Sequence, residues 1–242
     1  MKFKLLIFSI FVINIMVFAQ SYEEYEKRFK EIRCFQETDK MKNFIFELEN
    51  DEERADDAYI NILLAESYFE YGLWGKTKNK KSLFEKSLNT AENEIKRDDK
   101  SGKAYYIASM ASAQLIPMSN IFGIIRLGRK FMQYMPKAVE HLDDSVYKGF
   151  ALMGCGVGYM SPPPPFNDYK KSEEFYKEAQ LYVGNYPGLY MYQGMLYMKT
   201  KNKESAKKMF EKVVSMDPHP LFIKAHEDDS AKAKKLLKDL GY

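Results

Sequence analysis

Histidine is the side chain best suited to acid–base and metal chemistry near neutral pH, and the sequence holds only His141, His219 and His226. His226 begins the stretch HEDD (226–229), whose imidazole and carboxylates are metal-binding groups, but the second histidine of the HExxH pattern is missing. His141 begins HLDDS (141–145), where no glycine-flanked serine offers a nucleophile. The sequence therefore predicts no catalytic residues, no metal site and no enzyme activity.

A glycine-rich stretch, GCGVGYMSPPPP (154–165), is the other candidate for chemistry. Its glycines follow the order GxGxG, whereas a dinucleotide-binding loop requires GxGxxG between a strand and a helix, so we expect no cofactor. The chain has two cysteines, Cys34 and Cys155, which do not form a CxxC motif. Burial of both as small hydrophobic residues is the favoured interpretation, and export would permit a disulfide between them.

The composition is that of a folded domain with a charged surface. Of the 242 residues, 45% are hydrophobic and 15% aromatic, which is ample material for a buried core, and 29% are charged. The formal net charge is only +3, and lysine and glutamate are mixed along the chain. A nucleic-acid partner is not expected, because such proteins concentrate basic residues on one face. Charge does not indicate contact with an anionic membrane either, although it leaves that contact open.

The N-terminus has the pattern of a secretory signal peptide. Two lysines precede an apolar run over 5–18, and the small residue Ala19 completes a cleavage site before Gln20. We therefore expect residues 1–19 to be a signal peptide and the mature protein to be exported, either periplasmic or secreted. An uncleaved N-terminal membrane anchor is the alternative, but the run is short for a span, which takes about 20 apolar residues.

Almost every later segment repeats its apolar residues three or four positions apart, which predicts helices. No long β-branched stretch with period two occurs, so a sheet is not expected. Capping signals and prolines set the expected boundaries. One helix should have Asp39 as its N-cap, one should end at Gly72, and one should start at Pro136. A last, capping helix is expected over 228–241.

Small and large apolar residues recur at fixed distances in the stretch 186–218. Two small residues lie twelve positions apart, an aromatic residue follows each of them by three or four, and a proline closes the stretch. This stretch resembles a tetratricopeptide repeat, a helix-turn-helix unit of about 34 residues. The resemblance implies that helices A and B cross where a small side chain faces a large one. The packing residues that it implies are Gly194, Tyr197, Ala206, Phe210, Val213 and Pro218.

The stretch 148–184 follows the same pattern with a longer turn. Its second small position lies sixteen residues after the first, four more than in 186–218, and the prolines 162–165 supply those four residues. We therefore interpret the prolines as an enlarged turn, with Asn167 or Asp168 capping the helix that follows. A polyproline segment could also dock into the aromatic groove of a partner. The matching packing residues are Gly156, Tyr159, Ser172, Tyr176 and Ala179.

Looser matches upstream extend the array. Ala65 resembles a helix-A position, and an alanine-rich helix around Ala108 resembles another, which an insertion separates from its partner helix at Pro136. The predicted fold class is therefore all-α. Antiparallel helix-turn-helix repeats stack as a tetratricopeptide-like α-solenoid over 57–242, preceded by N-terminal helices over 20–56 and closed by the C-terminal capping helix.

The order of these segments is similar to that of two narrower groups of proteins. One is the tetratricopeptide-containing regulator of microtubule dynamics family, and the other is the periplasmic T-component associated with TRAP transporters. The resemblance covers roughly residues 57–242. It implies a concave groove of A helices that binds a protein or peptide partner or, for a T-component, a hydrophobic small ligand that serves a solute transporter.

Two groups of residues are candidates for a binding surface. The predicted A helix of 186–218 presents tyrosine and methionine side chains, which suit adaptable apolar contacts but also suit a core. The segment 117–135 is apolar, contains basic residues and lies outside the repeat spacing, so it could wrap over the core, line a groove, touch a membrane or meet a transporter subunit. The candidate residues are Tyr190, Met195, Ile121, Phe122, Ile124, Ile125, Arg126 and Arg129.

Overall fold

The part of the chain that the structure describes is helical. The computed structural model describes residues 22–51, 56–143 and 145–242, so the predicted signal peptide and its cleavage site lie outside the described residues. Within these ranges the chain forms eleven α-helices, one short 3₁₀ turn and no strand. None of the helices described is both long and apolar enough to cross a bilayer. The all-α prediction is confirmed.

The helices follow one another with short connections, which place neighbours antiparallel. They are α1 (22–35), α2 (Thr38–Glu49), α3 (Ala58–Trp74), α4 (Lys80–Arg97), α5 (Gly102–Leu115), α6 (Ile121–His141), α7 (Ser145–Met160), α8 (Tyr169–Val183), α9 (Pro187–Lys199), α10 (Lys203–Ser215) and α11 (Ile223–Asp239), with the 3₁₀ turn Ile116–Met118 before α6. The helices α3 to α10 form four A–B pairs, α3–α4, α5–α6, α7–α8 and α9–α10, and each pair packs on the next. Helix α2 packs on α3, and α11 packs on α10. The result is a solenoid of stacked helix pairs.

The last two pairs cross where a glycine faces an aromatic ring. A Cβ atom on Gly194 would lie 2.4 Å from Cε1 of Phe210, and one on Gly156 would lie 2.4 Å from Cε1 of Tyr176. Both rings are fully buried, so neither glycine has room for a side chain. The Ser172 hydroxyl also donates to the carbonyl oxygen of Gly156 at 2.8 Å. Close contact within each pair therefore depends on a small residue in its A helix.

The turn between α7 and α8 spans 161–168 and contains all four prolines, as the spacing predicts. The backbone N–H of Asp168 donates to the carbonyl oxygen of Tyr159 at 2.9 Å, so the turn folds back onto the end of α7. The Asp168 side chain then caps α8 by accepting from the backbone N–H of Lys171 at 2.9 Å. The extra residues thus lengthen the turn without moving the helices apart.

Four predicted helix ends are wrong, three of them in α2, α3 and α11. Helix α2 has Glu37 as its N-cap, and Asp39 lies in its first turn, where a carboxylate is also favourable. Helix α3 continues through Gly72 to Trp74, because Gly72 leaves room for a ring of α4 rather than ending the helix. Helix α11 begins at Ile223 rather than at 228, since the residues just before 228 already lie half-buried against the array.

The segment 117–135 is not an insertion, which corrects the sequence-based interpretation. It belongs largely to α6, one continuous helix that packs along α5 as its B helix and buries Leu127, Phe131 and Met135. Pro136 lies inside α6 instead of starting a helix. Its side chain is exposed, so the missing N–H falls on the solvent side, where the loss of one helical hydrogen bond is tolerated.

The two ends of the solenoid touch each other. In α1, the Cys34 thiol donates to the carbonyl oxygen of Pro220 at 3.1 Å, and the Arg33 guanidinium lies 4.8 Å from the centre of the Phe222 ring. Both partners belong to the connection between α10 and α11. Cys34 and Cys155 are buried and free, so the disulfide that export would permit is not formed. The stack therefore curves until α1 reaches the connection before α11 at the edge of its concave side.

Candidate binding cavity

The concave side of the solenoid holds a half-open cavity of about 640 Å³. Most of its walls come from the A helices α3, α5 and α7, with single residues from α9 and from the B helix α6, and its ends come from α1, α11 and the adjoining connections. Aromatic side chains dominate the walls. They are Phe69, Trp74, Tyr106, Phe131, Tyr147, Phe150, Tyr186, Tyr192 and Phe222.

A buried ion network forms one wall of the cavity. Arg33 Nη1 lies 3.0 Å from Glu66 Oε1, and Lys103 Nζ lies 2.9 Å from Glu66 Oε2. The Tyr147 hydroxyl donates to the same Glu66 Oε1 at 2.5 Å. Burial alone would raise the pKa of Glu66, but Lys103 and Arg33 outweigh burial and hold that pKa below its ordinary value. Glu66 is therefore an ionised, fully compensated carboxylate.

Glu70, one helical turn after Glu66, is differently placed. Its side chain is only 9% exposed, and the indole N–H of Trp74 donates to its Oε2 at 2.9 Å. Burial raises the pKa of Glu70, and the attraction of Arg33 offsets that rise only in part. No ion pair within the described residues includes Glu70. It is a buried carboxylate, and the cation that acts on it, Arg33, is bonded to Glu66 instead.

Aromatic rings fill the end of the cavity near α11. The Phe150 ring lies 5.0 Å from Tyr186 and 5.5 Å from Phe222, centre to centre, in edge-to-face geometry. His219 lies 5.9 Å from Tyr186 and is 7% exposed. Its Nδ1 accepts from the backbone N–H of Leu221 at 3.2 Å. Burial and the nearby Arg33 lower the pKa of His219, so the neutral ring is the favoured form.

The A helix α9 does not present Tyr190 as a binding residue, contrary to the sequence-based hypothesis. Tyr190 is 2% exposed, because its ring packs in the core between α9 and its neighbours and its hydroxyl donates to the carbonyl oxygen of Gly184 at 2.8 Å. Met195 is half-buried and packs against the same core. Of the aromatic residues on this helix, Tyr192 is the one that lines the cavity.

The other candidate residues form a separate surface on the first turns of α6. Phe122, Ile121 and Ile125 are 80%, 62% and 55% exposed, and Ile124, Arg126 and Arg129 are exposed beside them. None of these side chains lines the concave cavity. The structure therefore does not bring the two predicted groups together.

Sequence reasoning missed the polar residues of the cavity. Arg33, Glu66 and Glu70 fall outside the matched repeat positions, and Trp74 falls in a predicted turn. A signal was present, since two carboxylates one turn apart interrupt an otherwise apolar helix, ILLAESYFEY (62–71). Buried carboxylates need partners, so that pattern indicated a polar site facing the interior.

The stretch HEDD (226–229) lies on the first turns of α11, and two of its acids, Asp228 and Asp229, line the cavity. Burial raises the pKa of Asp229, while Lys232 and His226 lower it in part. Among the residues described, no three histidine, cysteine or acidic side chains are grouped to hold a metal ion. The acids thus add negative charge to one end of the cavity.

Comparisons with known proteins agree with the fold. Residues 188–220, which cover nearly all of α9, all of α10 and most of the following connection, match the family model for a tetratricopeptide repeat. The crystal structure of a thermophilic TPR protein from Thermus thermophilus superposes with a TM-score of 0.58 at 14% sequence identity, covering 81% of this chain and 91% of that chain. No curated protein matches the chain significantly. The chain therefore has a tetratricopeptide-like helical repeat fold.

Proposed function

We propose that the protein is an exported, non-enzymatic scaffold that binds a protein or peptide partner in its concave cavity. The observation that carries this proposal is the cavity itself, whose walls come mostly from A helices of the stacked pairs. Rigid aromatic walls with a few polar groups are typical of sites that recognise extended segments or small molecules. Export rests on the signal-peptide pattern of residues 1–19.

A blocking variant tests the proposal. Ala113 lines the cavity and is half-buried, so Ala113→Trp should fill part of the space, whereas Ala231→Trp adds the same ring to an exposed site on α11. Peptides selected from a random display library on the wild-type protein should bind Ala113→Trp at least about tenfold more weakly, a loss of about 1.4 kcal/mol. Binding to Ala231→Trp should be unchanged. Equal binding to both variants, or no selected peptide, would refute a peptide-binding cavity.

A second function, a small-ligand component that serves a TRAP-type transporter, is favoured by one observation. Helix α1 touches the connection before α11 and so borders the concave side, and the volume of about 640 Å³ falls within the usual size of small-molecule pockets. Native mass spectrometry of the protein isolated from its own cell envelope tests this function. A co-purified organic molecule would support it, and a co-purified polypeptide would support the first.

A further inference from the structure

The lining of the cavity carries more negative than positive side chains. Among the described residues that line it, Arg33 is the one cation, and Glu66, Glu70, Asp228 and Asp229 are carboxylates. Arg33 is already paired with Glu66, which Lys103 also neutralises from behind. Counted together, these two cations and the four carboxylates still leave an excess of two negative charges at the cavity.

Glu70 is more deeply buried than Asp228 and Asp229, the other two carboxylates at the cavity that form no ion pair with Arg33 or Lys103. Its side chain is more than nine-tenths buried, it lines the cavity, and Trp74 supplies the one hydrogen bond that the described residues give it. A buried carboxylate that lacks an ion-pair partner is costly. A cation placed beside Glu70 would remove that cost, whereas a bound anion would add to it.

The aromatic walls suit the same ligand. Trp74, Tyr106 and Tyr192 line the cavity together with Glu70, and the negative face of an aromatic ring attracts an ammonium or guanidinium group. The aliphatic stem of lysine or arginine can pack on these rings while its charged end reaches a carboxylate. A neutral apolar ligand would use the rings but leave the carboxylates unpaired.

Building on the proposed function, we propose that the cavity recognises a basic side chain, a lysine or an arginine of the bound peptide, whose charged end pairs with Glu70. Asp229 and Asp228 attract the approaching cation from the α11 end of the cavity. Trp74 holds the Glu70 carboxylate in place through its indole N–H and forms part of the wall along which the aliphatic stem packs.

Trp74 also provides the measurement, because it is the one tryptophan in the sequence and it is bonded to Glu70. Its fluorescence is titrated with three acetylated and amidated pentapeptides, Ala-Leu-X-Leu-Ala, in which X is lysine, norleucine or glutamate. Norleucine keeps the stem of lysine and lacks the ammonium group. The lysine peptide should bind about tenfold or more tightly than the norleucine peptide, and the glutamate peptide should bind weakest.

Two variants test whether the Glu70 carboxylate causes the preference for the lysine peptide. Glu70→Gln keeps an oxygen for the Trp74 hydrogen bond and removes the charge, so the preference for lysine over norleucine should fall to about one. Glu174→Gln, an exposed site on α8 away from the cavity, should retain the full preference. If Glu70→Gln does not fold by circular dichroism, Asp229→Asn takes its place and should reduce the preference in part.

The outcomes separate this inference from the proposed function. Equal or tighter binding of the norleucine or glutamate peptide overturns cation recognition, even if peptides selected by display bind in the cavity. Cation recognition also fails if selected peptides bind but none of the three pentapeptides changes Trp74 fluorescence. If hexylamine binds with dependence on Glu70 and no peptide binds, cation recognition stands and the peptide-binding scaffold fails. If neither peptides nor hexylamine bind, both proposals fail.

Discussion

The α9–α10 pair and the junction between α1 and the connection before α11 hold the solenoid together in different ways. In the pair, Gly194 meets Phe210 only sixteen residues further along the chain, and the contact is apolar and fully buried. In the junction, Cys34 meets Pro220 across a sequence separation of 186 residues. Next to Cys34, the buried cation Arg33 contacts Glu66, Tyr147 and a ring of the same connection.

The pair therefore maintains the fold, whereas the junction helps to form the site. The pair is a repeated unit whose contacts are satisfied locally, as expected for a solenoid. The junction is made once, from residues that no repeat supplies, and it contributes the charged end of the cavity. Damage to the pair should therefore lower stability without changing ligand preference, and damage to the junction should change both.

The largest effect is expected at the junction. Arg33→Met removes a cation that is 3% exposed and leaves Lys103 as the one cation paired with Glu66. Breaking a buried ion pair from one side costs about 3–5 kcal/mol, so we expect a loss of that order in the free energy of unfolding measured with urea. Because Arg33 also attracts Glu70, which accepts the indole N–H of Trp74, the Trp74 fluorescence should change as well.

A double variant tests the physical reason for that loss. Arg33→Met combined with Glu66→Gln removes both charges of the Arg33–Glu66 pair, and the remaining Lys103 is 29% exposed on its side chain and can stay hydrated. The double variant should recover a large share of the stability lost in Arg33→Met. If both variants lose the same stability, packing of the arginine side chain and not an uncompensated Glu66 carboxylate explains the effect.

A smaller effect is expected within the repeated pair. Gly194→Ala places a Cβ atom 2.4 Å from the Phe210 ring, and overpacking of this kind costs about 1–3 kcal/mol. Gly128 in α6 is the matched control, since a Cβ atom there meets nothing within 4 Å. Gly128→Ala should stabilise the protein by up to about 1 kcal/mol through helix propensity alone. Equal changes in the melting temperature of both variants would contradict the proposed crossing.

Much of the fold could be predicted from the sequence because the contacts that define each helix pair join residues close together along the chain. The spacing of Gly156, Ser172 and Tyr176 matches that of Gly194, Ala206 and Phe210 once the four prolines are counted as turn, and the structure places those prolines in a turn. Boundaries are predicted less accurately. The sequence predicts a helix end at Gly72, yet tertiary packing uses this glycine as a space for a ring of α4, and local propensity is often overridden in this way.

The site could not be predicted in the same way, because its residues come together only after the array has curved. Nothing in the spacing of the repeats relates Arg33 to Phe222, and the curvature that joins them is the sum of small rotations at every pair. The spacing of the repeats also does not show that the exposed apolar residues at the start of α6 lie apart from this site. Ile121 and Phe122 are the most conspicuous exposed apolar residues of that segment, but they lie outside the cavity.

The smallest effect is a pH dependence that distinguishes the junction from the pair. Burial and Arg33 lower the pKa of His219 from its ordinary value of 6.5, so below pH 6.5 the unfolded chain binds a proton at this residue that the folded protein resists. Stability is therefore unaffected by His219 above that pH and falls as the pH drops below it. Glu70, whose pKa is raised, works in the opposite direction, because its protonation favours the folded state as the pH falls.

The comparison with His219→Asn isolates the histidine from Glu70 and the other acids. Asparagine can offer an oxygen to the Leu221 N–H in place of Nδ1 and does not titrate. Between about pH 7.5 and pH 5.5, the melting temperature of the wild type should fall more than that of His219→Asn. Gly194→Ala, which changes only the repeated pair, should follow the wild-type pH profile at a lower melting temperature. If His219→Asn follows the wild-type profile too, protonation of His219 does not weaken the junction.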